Sequence, residues 1–187
     1  SKGGAVAWAF DNLKLGRHGG DGMRDQTIAT NEDGSPYRPT ADTVLFTATL
    51  PDARGQAYAG VFSLDLTDYS YEQVGAIMVE RGGKVYNDLV PHIIYYPSGD
   101  RRILIVTWGN GFGGAIDVLH KLETSQELLS GTRIVSGMTQ LSLPQSGSSP
   151  GTYDPMMVYD SANSRWLIAY SMTHRTDFSG SPFYAAA

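Results

Sequence analysis

The fold is decided by Asp154-Pro-Met-Met-Val-Tyr-Asp-Ser-Ala-Asn-Ser-Arg-Trp-Leu-Ile-Ala-Tyr170, which aligns without gaps onto Pro91-His-Ile-Ile-Tyr-Tyr-Pro-Ser-Gly-Asp-Arg-Arg-Ile-Leu-Ile-Val-Thr107. Both copies read as an apolar strand, a polar turn and a second apolar strand. The turns, 98–100 and 161–163, contain Gly, Asp and Asn, which favour tight turns. The repeat therefore predicts two related β-hairpins.

Further strands continue the repeat on both sides of these hairpins. They are predicted at Asp25–Thr30, Thr43–Thr49, Gly60–Leu66, Gln73–Val79, Ala115–Leu122 and Thr132–Thr139. Four strands per unit, in units of roughly 50 to 65 residues, are typical of propeller blades. The sequence thus predicts an all-β fold, a β-propeller of four-stranded blades. The blades lie at roughly 23–80, 86–142 and 152–187, with an N-terminal strand near 5–10 and a single helical turn at 125–129.

Two questions about this architecture stay open in the sequence. A β-sandwich also shows short strands at intervals of about 8 to 12 residues, although the ungapped hairpin match favours the propeller. A closed ring needs about four to eight blades, so about three blades leave two sheet edges open, and open edges invite pairing. We expect a second chain, another copy or a missing portion to complete the ring, and the chain to be a fragment or a processed product.

Composition excludes several classes of function. The formal net charge of -5 disfavours binding to a nucleic-acid backbone. The absence of cysteine excludes disulfides, thiolate metal sites and a cysteine nucleophile. No apolar run reaches the roughly 20 residues that span a bilayer, so we expect no membrane partner. No signal peptide is visible. We expect an extracellular or periplasmic protein.

Three aspartates precede predicted inner strands of successive blades: Asp25, Asp88 and Asp154. The inner strands of a propeller line a central channel, so side chains at their starts would meet at one opening. The alternative for each aspartate is a structural role, in which its carboxylate accepts hydrogen bonds from backbone amides of a nearby turn.

The blade beginning Tyr153-Asp154-Pro155 and continuing to Ser171, together with Val90–Trp108, resembles the five-bladed glycosidases. This group includes arabinanases, β-xylosidases and the levansucrase and invertase relatives. The resemblance covers about half of the chain. It implies a glycoside hydrolase that cleaves glycans containing pentose or furanose units, and a five-bladed ring.

The resemblance also implies roles for the carboxylates. Asp25 would be the base, and Asp88 or Asp154 would orient groups and tune the acid. Glycoside hydrolysis needs one carboxyl to protonate the leaving oxygen and another to activate water or attack the sugar. The sequence departs from the family because no glutamate begins an equivalent strand. The glutamates of turns and outer strands are Glu32, Glu72, Glu80, Glu123 and Glu127.

Three further side chains are candidate sugar contacts. His92 begins a predicted inner strand, His174 follows the second strand of its hairpin, and Trp108 opens a glycine-rich turn. Each also has a structural alternative, which for Trp108 is packing against the neighbouring blade. No histidine spacing matches a zinc site, and the glycine-rich turn lacks a P-loop lysine. We expect no metal and no cofactor.

The sequence leaves the function open between an enzyme and a binding module. The enzyme would be a carbohydrate-active hydrolase using the three aspartates. The binding module would be a non-catalytic propeller that holds glycan or protein, either alone or as one part of a split propeller. The three aspartates and the glycosidase-like blade favour the hydrolase, which is the first expectation. The missing glutamate and the incomplete ring are the reasons for keeping the binding module as the alternative.

Overall fold

The computed structural model describes residues 22–51, 57–107, 117–124, 131–143, 150–174 and 183–186. These ranges contain fourteen β-strands and no helix, so the predicted all-β class is confirmed. The strands are β1 Arg24–Ile28, β2 Thr30–Asn31, β3 Thr43–Pro51, β4 Ala57–Asp65, β5 Tyr71–Arg81, β6 Lys84–Tyr86, β7 Leu89–Tyr95, β8 Arg101–Val106, β9 Val118–Glu123, β10 Gly131–Val135, β11 Thr139–Gln140, β12 Pro150–Asp160, β13 Arg165–His174 and β14 Phe183–Ala186.

The strands form three sheets, each built around an antiparallel meander. The first sheet has the order β1-β3-β4-β5-β10, with β6 also paired to β5; the second is β11-β9-β8-β7-β2; the third is β12-β13-β14. Each meander begins with the strand that the sequence predicted to be innermost. This strand is β1 in the first sheet, β7 in the second and β12 in the third. The predicted N-terminal strand near 5–10 and the helical turn at 125–129 lie outside the described residues.

One predicted strand joins a different sheet from the expected one. The sequence assigned residues 132–139 to the second repeat, but β10 pairs in parallel with β5 of the first sheet, where Thr132 lies opposite Ala76. The short β11 pairs with β9 instead and extends the second sheet. Strand patterning alone does not choose between these two partners, because both offer a free edge.

The second sheet is buried on both faces, which explains its continuous apolar runs. On one face Ile93, Ile103 and Ile105 pack with Leu45 and Val61 of the first sheet. On the other face Ile94, Leu104 and Val106 pack with Met157, Ile168 and Tyr170 of the third. Alternate residues of a strand point to opposite faces, so both sets come from the same two strands. The three sheets therefore pack face to face in series.

A separate aromatic cluster occupies the first sheet. Ala48, Leu50 and Phe62 are buried there, and the rings of Phe46 and Phe62 stack with centroids 4.9 Å apart. Gly60 makes this packing possible, because a Cβ there would lie 2.7 Å from Leu50 Cδ1. No helix among the described residues is long and apolar enough to cross a membrane.

Candidate functional site

Each of the three sheets carries a β-bulge in its first strand. The register shifts between Arg24 and Thr27 in β1, between Leu89 and His92 in β7, and between Tyr153 and Met156 in β12. One residue within each bulge has a positive φ: Asp25 at 55°, Val90 at 52° and Asp154 at 50°. A bulge re-aims the side chains around it, so these three residues hold equivalent positions.

The bulges correct the sequence alignment by one residue. The ungapped match set Asp154 opposite Pro91, whereas the equivalent bulge residue is Val90. An aspartate tolerates the left-handed region better than a β-branched valine. The backbone of Val90 is therefore strained where the other two sheets carry aspartate.

The charge of Asp25 influences the pKa of Asp154 although the two residues belong to different sheets. The pKa of Asp154 is raised by desolvation of its carboxyl and next by the negative charge of Asp25, against a lowering by a hydrogen bond from Ser171. Ser171 Oγ lies 3.4 Å from Asp154 Oδ2. Arg24 Nε lies 3.5 Å from Asp25 Oδ2. Asp25 and Asp154 thus hold the same bulge position in their sheets, and the charge of one influences the pKa of the other.

Asp88 has a different environment from the other two. Its side chain is fully buried and forms an ion pair and hydrogen bond with Arg81, whose guanidinium lies 4.0 Å from the ring centroid of Tyr86. It precedes the bulge position of β7 by two residues, and it is not among the charges that shift the pKa of Asp154. The structure therefore places Asp88 in an internal ion pair.

His92 links three strands through both ring nitrogens. Its side chain is 1% exposed. Nδ1 accepts a hydrogen bond from the Met157 backbone N–H at 3.3 Å, so Nε2 carries the proton and donates to Thr30 Oγ1 at 3.1 Å. Burial lowers the pKa of His92 to about 4. In this arrangement His92 joins the second sheet to the third and has no ring nitrogen free for a sugar.

The remaining predicted contacts are only partly described. Trp108 lies outside the described residues. His174 ends β13, where its backbone pairs with Pro150, and its side chain is not described. Within the described ranges, no group of three or more His, Asp or Glu side chains is arranged to hold a metal ion.

Two of the glutamates have structural partners. Glu123 is 7% exposed and contacts Lys121 Nζ at 2.5 Å and Arg133 Nη2 at 3.3 Å. Desolvation raises the pKa of Glu123, but the hydrogen bonds from Lys121 and Arg133 outweigh it and hold the pKa below its usual value. Glu80 Oε1 accepts the Gly83 backbone N–H at 2.7 Å in the turn after β5. Neither glutamate is placed beside Asp25 or Asp154.

Sequence reasoning missed the immediate partners of the two aspartates. Arg24 precedes Asp25 directly, and that adjacency was a readable signal for an ion pair. Ser171 is different, because it lies in β13 opposite Tyr153 and reaches Asp154 only through the bulge. No pattern in the sequence marks that contact.

Comparisons with known proteins give no family. No family model matches the chain, and no curated protein matches it. Among solved structures, an endo-arabinase from Bacteroides thetaiotaomicron is similar with a TM-score of 0.48 and 12% identity, over 88% of this chain and 55% of that one. A protein of unknown function from Dyadobacter fermentans is similar with a TM-score of 0.47 and 12% identity, over 82% of this chain and 41% of that one. The chain thus spans about half the length of the solved structures it matches.

Proposed function

We propose that the three sheets are consecutive blades of a β-propeller. Face-to-face packing in series and the double burial of the second sheet support this arrangement. The bulge at the same place in β1, β7 and β12 supports it further, because equivalent strands then carry their special residue at equivalent positions. In this arrangement the first strands of the meanders line the channel.

We propose further that the chain is part of a carbohydrate-active propeller that hydrolyses glycosidic bonds with Asp25 and Asp154. Such hydrolysis needs two carboxyl groups, one that holds a proton and one that is ionised. The raised pKa of Asp154 suits the proton-holding role, and Asp25, which lies beside Arg24, is the second carboxyl group. The observation that carries the proposal is the effect of Asp25 on the pKa of Asp154, across two sheets. The substrate class, glycans with pentose or furanose units, rests on the sequence resemblance.

The test is turnover by the full chain on arabinan, xylan and fructan. Asp25→Asn and Asp154→Asn are each expected to reduce turnover by about 100-fold or more, because each removes an acid–base or nucleophilic group while keeping the side-chain volume. Asp160→Asn is the matched control: Asp160 accepts hydrogen bonds from Asn163 in the β12–β13 turn and should leave turnover unchanged. Equal turnover in all three variants would show that Asp25 and Asp154 are not the catalytic carboxylates.

A second candidate is a propeller that binds glycan without cleaving it. It is favoured by Val90, which stands at the bulge position where the other two sheets have aspartate, and by the ion pair that occupies Asp88. A glycan array separates the two candidates. Retention of a glycan that the chain does not cleave, weakened by Asp154→Asn, supports the binding module; cleavage supports the hydrolase.

A further inference from the structure

A cavity of about 590 Å³ lies at the opposite end of β7 from its bulge. It is formed by the segment that follows β2 and by the β7–β8 turn, and its lining includes Asn31, Glu32, Tyr37, Tyr95 and Arg101. Val90 is near the start of β7 and Tyr95 is its last residue, which separates the bulge from the cavity by roughly 15 Å along the strand. The cavity is therefore distinct from the pair Asp25 and Asp154.

Arg101 is the unusual residue of this cavity. Its side chain is 1% exposed, and neither Nε nor Nη2 has a hydrogen-bond partner. Its register partner on β9 is Glu123, whose carboxylate is held by Lys121 and Arg133 instead. The guanidinium does contact Tyr95, whose ring centroid lies 5.8 Å from Arg101 Cζ. Two buried N–H groups that donate no hydrogen bond are nevertheless costly, and such groups in native proteins call for an explanation.

The free atoms of Arg101 define the chemistry that fits them. Nε–H and Nη2–H lie on one edge of the planar guanidinium and form a fork that matches the two oxygens of a carboxylate. The hydroxyl of Tyr95 is also buried; it lies beside Arg101 but makes no hydrogen bond of good geometry. Burial raises the pKa of Tyr95 to about 12, although the neighbouring Arg101 lowers it, so the hydroxyl stays protonated and can donate a hydrogen bond to a ligand.

The rest of the cavity favours a ring with hydroxyl groups and a single negative charge. The rings of Tyr37 and Tyr95 stack with their centroids 3.5 Å apart and their planes at 8°. Flat aromatic surfaces of this kind suit the apolar face of a sugar. Glu32 and Asp33 also line the cavity. Their carboxylates accept hydrogen bonds from hydroxyl groups and repel further negative charge. The volume lies within the range of about 300 to 1,000 Å³ that is usual for small-ligand sites.

We propose that this cavity binds a uronic acid, a sugar with one carboxylate, which pairs with the Nε–Nη2 edge of Arg101. The two nitrogens are shielded from solvent. Tyr37 is half-buried and stacked on Tyr95. Its side chain changes rotamer when the ligand enters, a change that is common on binding, and its ring then stacks on the sugar. The site is independent of the glycosidase proposal, because it uses neither Asp25 nor Asp154.

The test is calorimetric titration of the full chain with glucuronate, with glucose as the neutral ring of the same shape. Glucuronate is expected to bind with saturation, and glucose at least about 10-fold more weakly, because glucose lacks the carboxylate. Arg101→Lys keeps the charge but loses the fork, so we expect affinity for glucuronate to fall by at least about 10-fold. The matched control is Arg165→Lys, which should leave glucuronate affinity unchanged, since Arg165 pairs with Asp160 in the β12–β13 hairpin and does not line the cavity.

Two further variants keep the result decisive. Tyr37→Leu removes the stacked ring at a half-buried position and is expected to weaken glucuronate binding even if Arg101→Lys does not fold. Asp154→Asn should leave glucuronate affinity unchanged, which separates this cavity from the proposed glycosidase site. Equal binding of glucose and glucuronate, or unchanged affinity in a folded Arg101→Lys protein, overturns the proposal.

Discussion

Replacement of Asp88 by alanine is expected to lower the free energy of unfolding by about 3 kcal/mol. Asp88 is fully buried, and its partner Arg81 has only 24% of its side chain exposed. Removal of one member of a buried ion pair leaves the other charge uncompensated, which typically costs about 3 to 5 kcal/mol. The partial exposure of Arg81 favours the lower end of this range. Urea unfolding of the two proteins measures the difference.

The control for Asp88→Ala is an ion pair on the surface. Arg165 Nε lies 3.4 Å from Asp160 Oδ2, with 51% of the arginine side chain exposed. Arg165→Ala is expected to cost less than about 1 kcal/mol, because solvent screens such pairs. If Asp88→Ala were no more destabilising than Arg165→Ala, Asp88 would not be the structural residue that its burial indicates, and its role at the site would have to be reconsidered.

Acid is expected to destabilise the protein through His92. The pKa of His92 is about 4 in the folded chain, below the ordinary value of about 6.5. The unfolded chain therefore binds a proton first as the pH falls. The contribution of neutral His92 to the free energy of unfolding is present in full above about pH 6.5 and is lost progressively as the pH falls towards 4. The lowered pKa corresponds to about 3 kcal/mol between these limits.

The physical reason is the hydrogen bond that His92 accepts. Protonation of Nδ1 would set two donors against each other, the imidazolium N–H and the Met157 backbone N–H. That contact joins β7 to β12, so its loss weakens the packing between the second and third sheets. Unfolding in urea at several pH values measures the effect.

His92→Asn isolates the contribution of the imidazole. Its amide oxygen can accept the Met157 N–H but does not titrate. We expect the variant to be less stable than the wild type at pH 7 and to lose about 3 kcal/mol less on acidification. Other groups, including the half-buried His120, titrate in both proteins and cancel in the difference. If the free energy of unfolding falls by the same amount on acidification in both proteins, His92 is not the source of the acid sensitivity.

The sequence predicted the sheets well because the hairpin repeat carries their apolar faces. The strand that begins each meander was recognised in all three cases, through the residues that follow Asp25, Asp88 and Asp154. The alignment erred by one residue at Val90 because the apolar pattern does not show which residue of a strand forms the bulge. Register at a bulge is a tertiary property, and the sequence alone does not reveal it.

The candidate site was predicted only in part for the same kind of reason. Asp88 has the same local context as the other aspartates, and only the fold shows that Arg81 neutralises it. His92 was predicted at the start of an inner strand, but its two hydrogen bonds reach residues 62 and 65 positions away in the chain. The cavity beside Arg101 was not foreseen, because the adjacent pair Arg101 and Arg102 reads as a charged turn.

The pKa of Asp154, measured by NMR titration in the wild type and in Asp25→Asn, tests most directly whether two sheets share one carboxylate site. We expect a raised value in the wild type and a lower one in the variant, because the charge of Asp25 is removed. Asp33 is the internal reference, since its pKa is lowered by its hydrogen bonds with Ser35 and should not change. An Asp154 pKa that is the same in both proteins would show that the two carboxyl groups do not interact and would contradict the shared site.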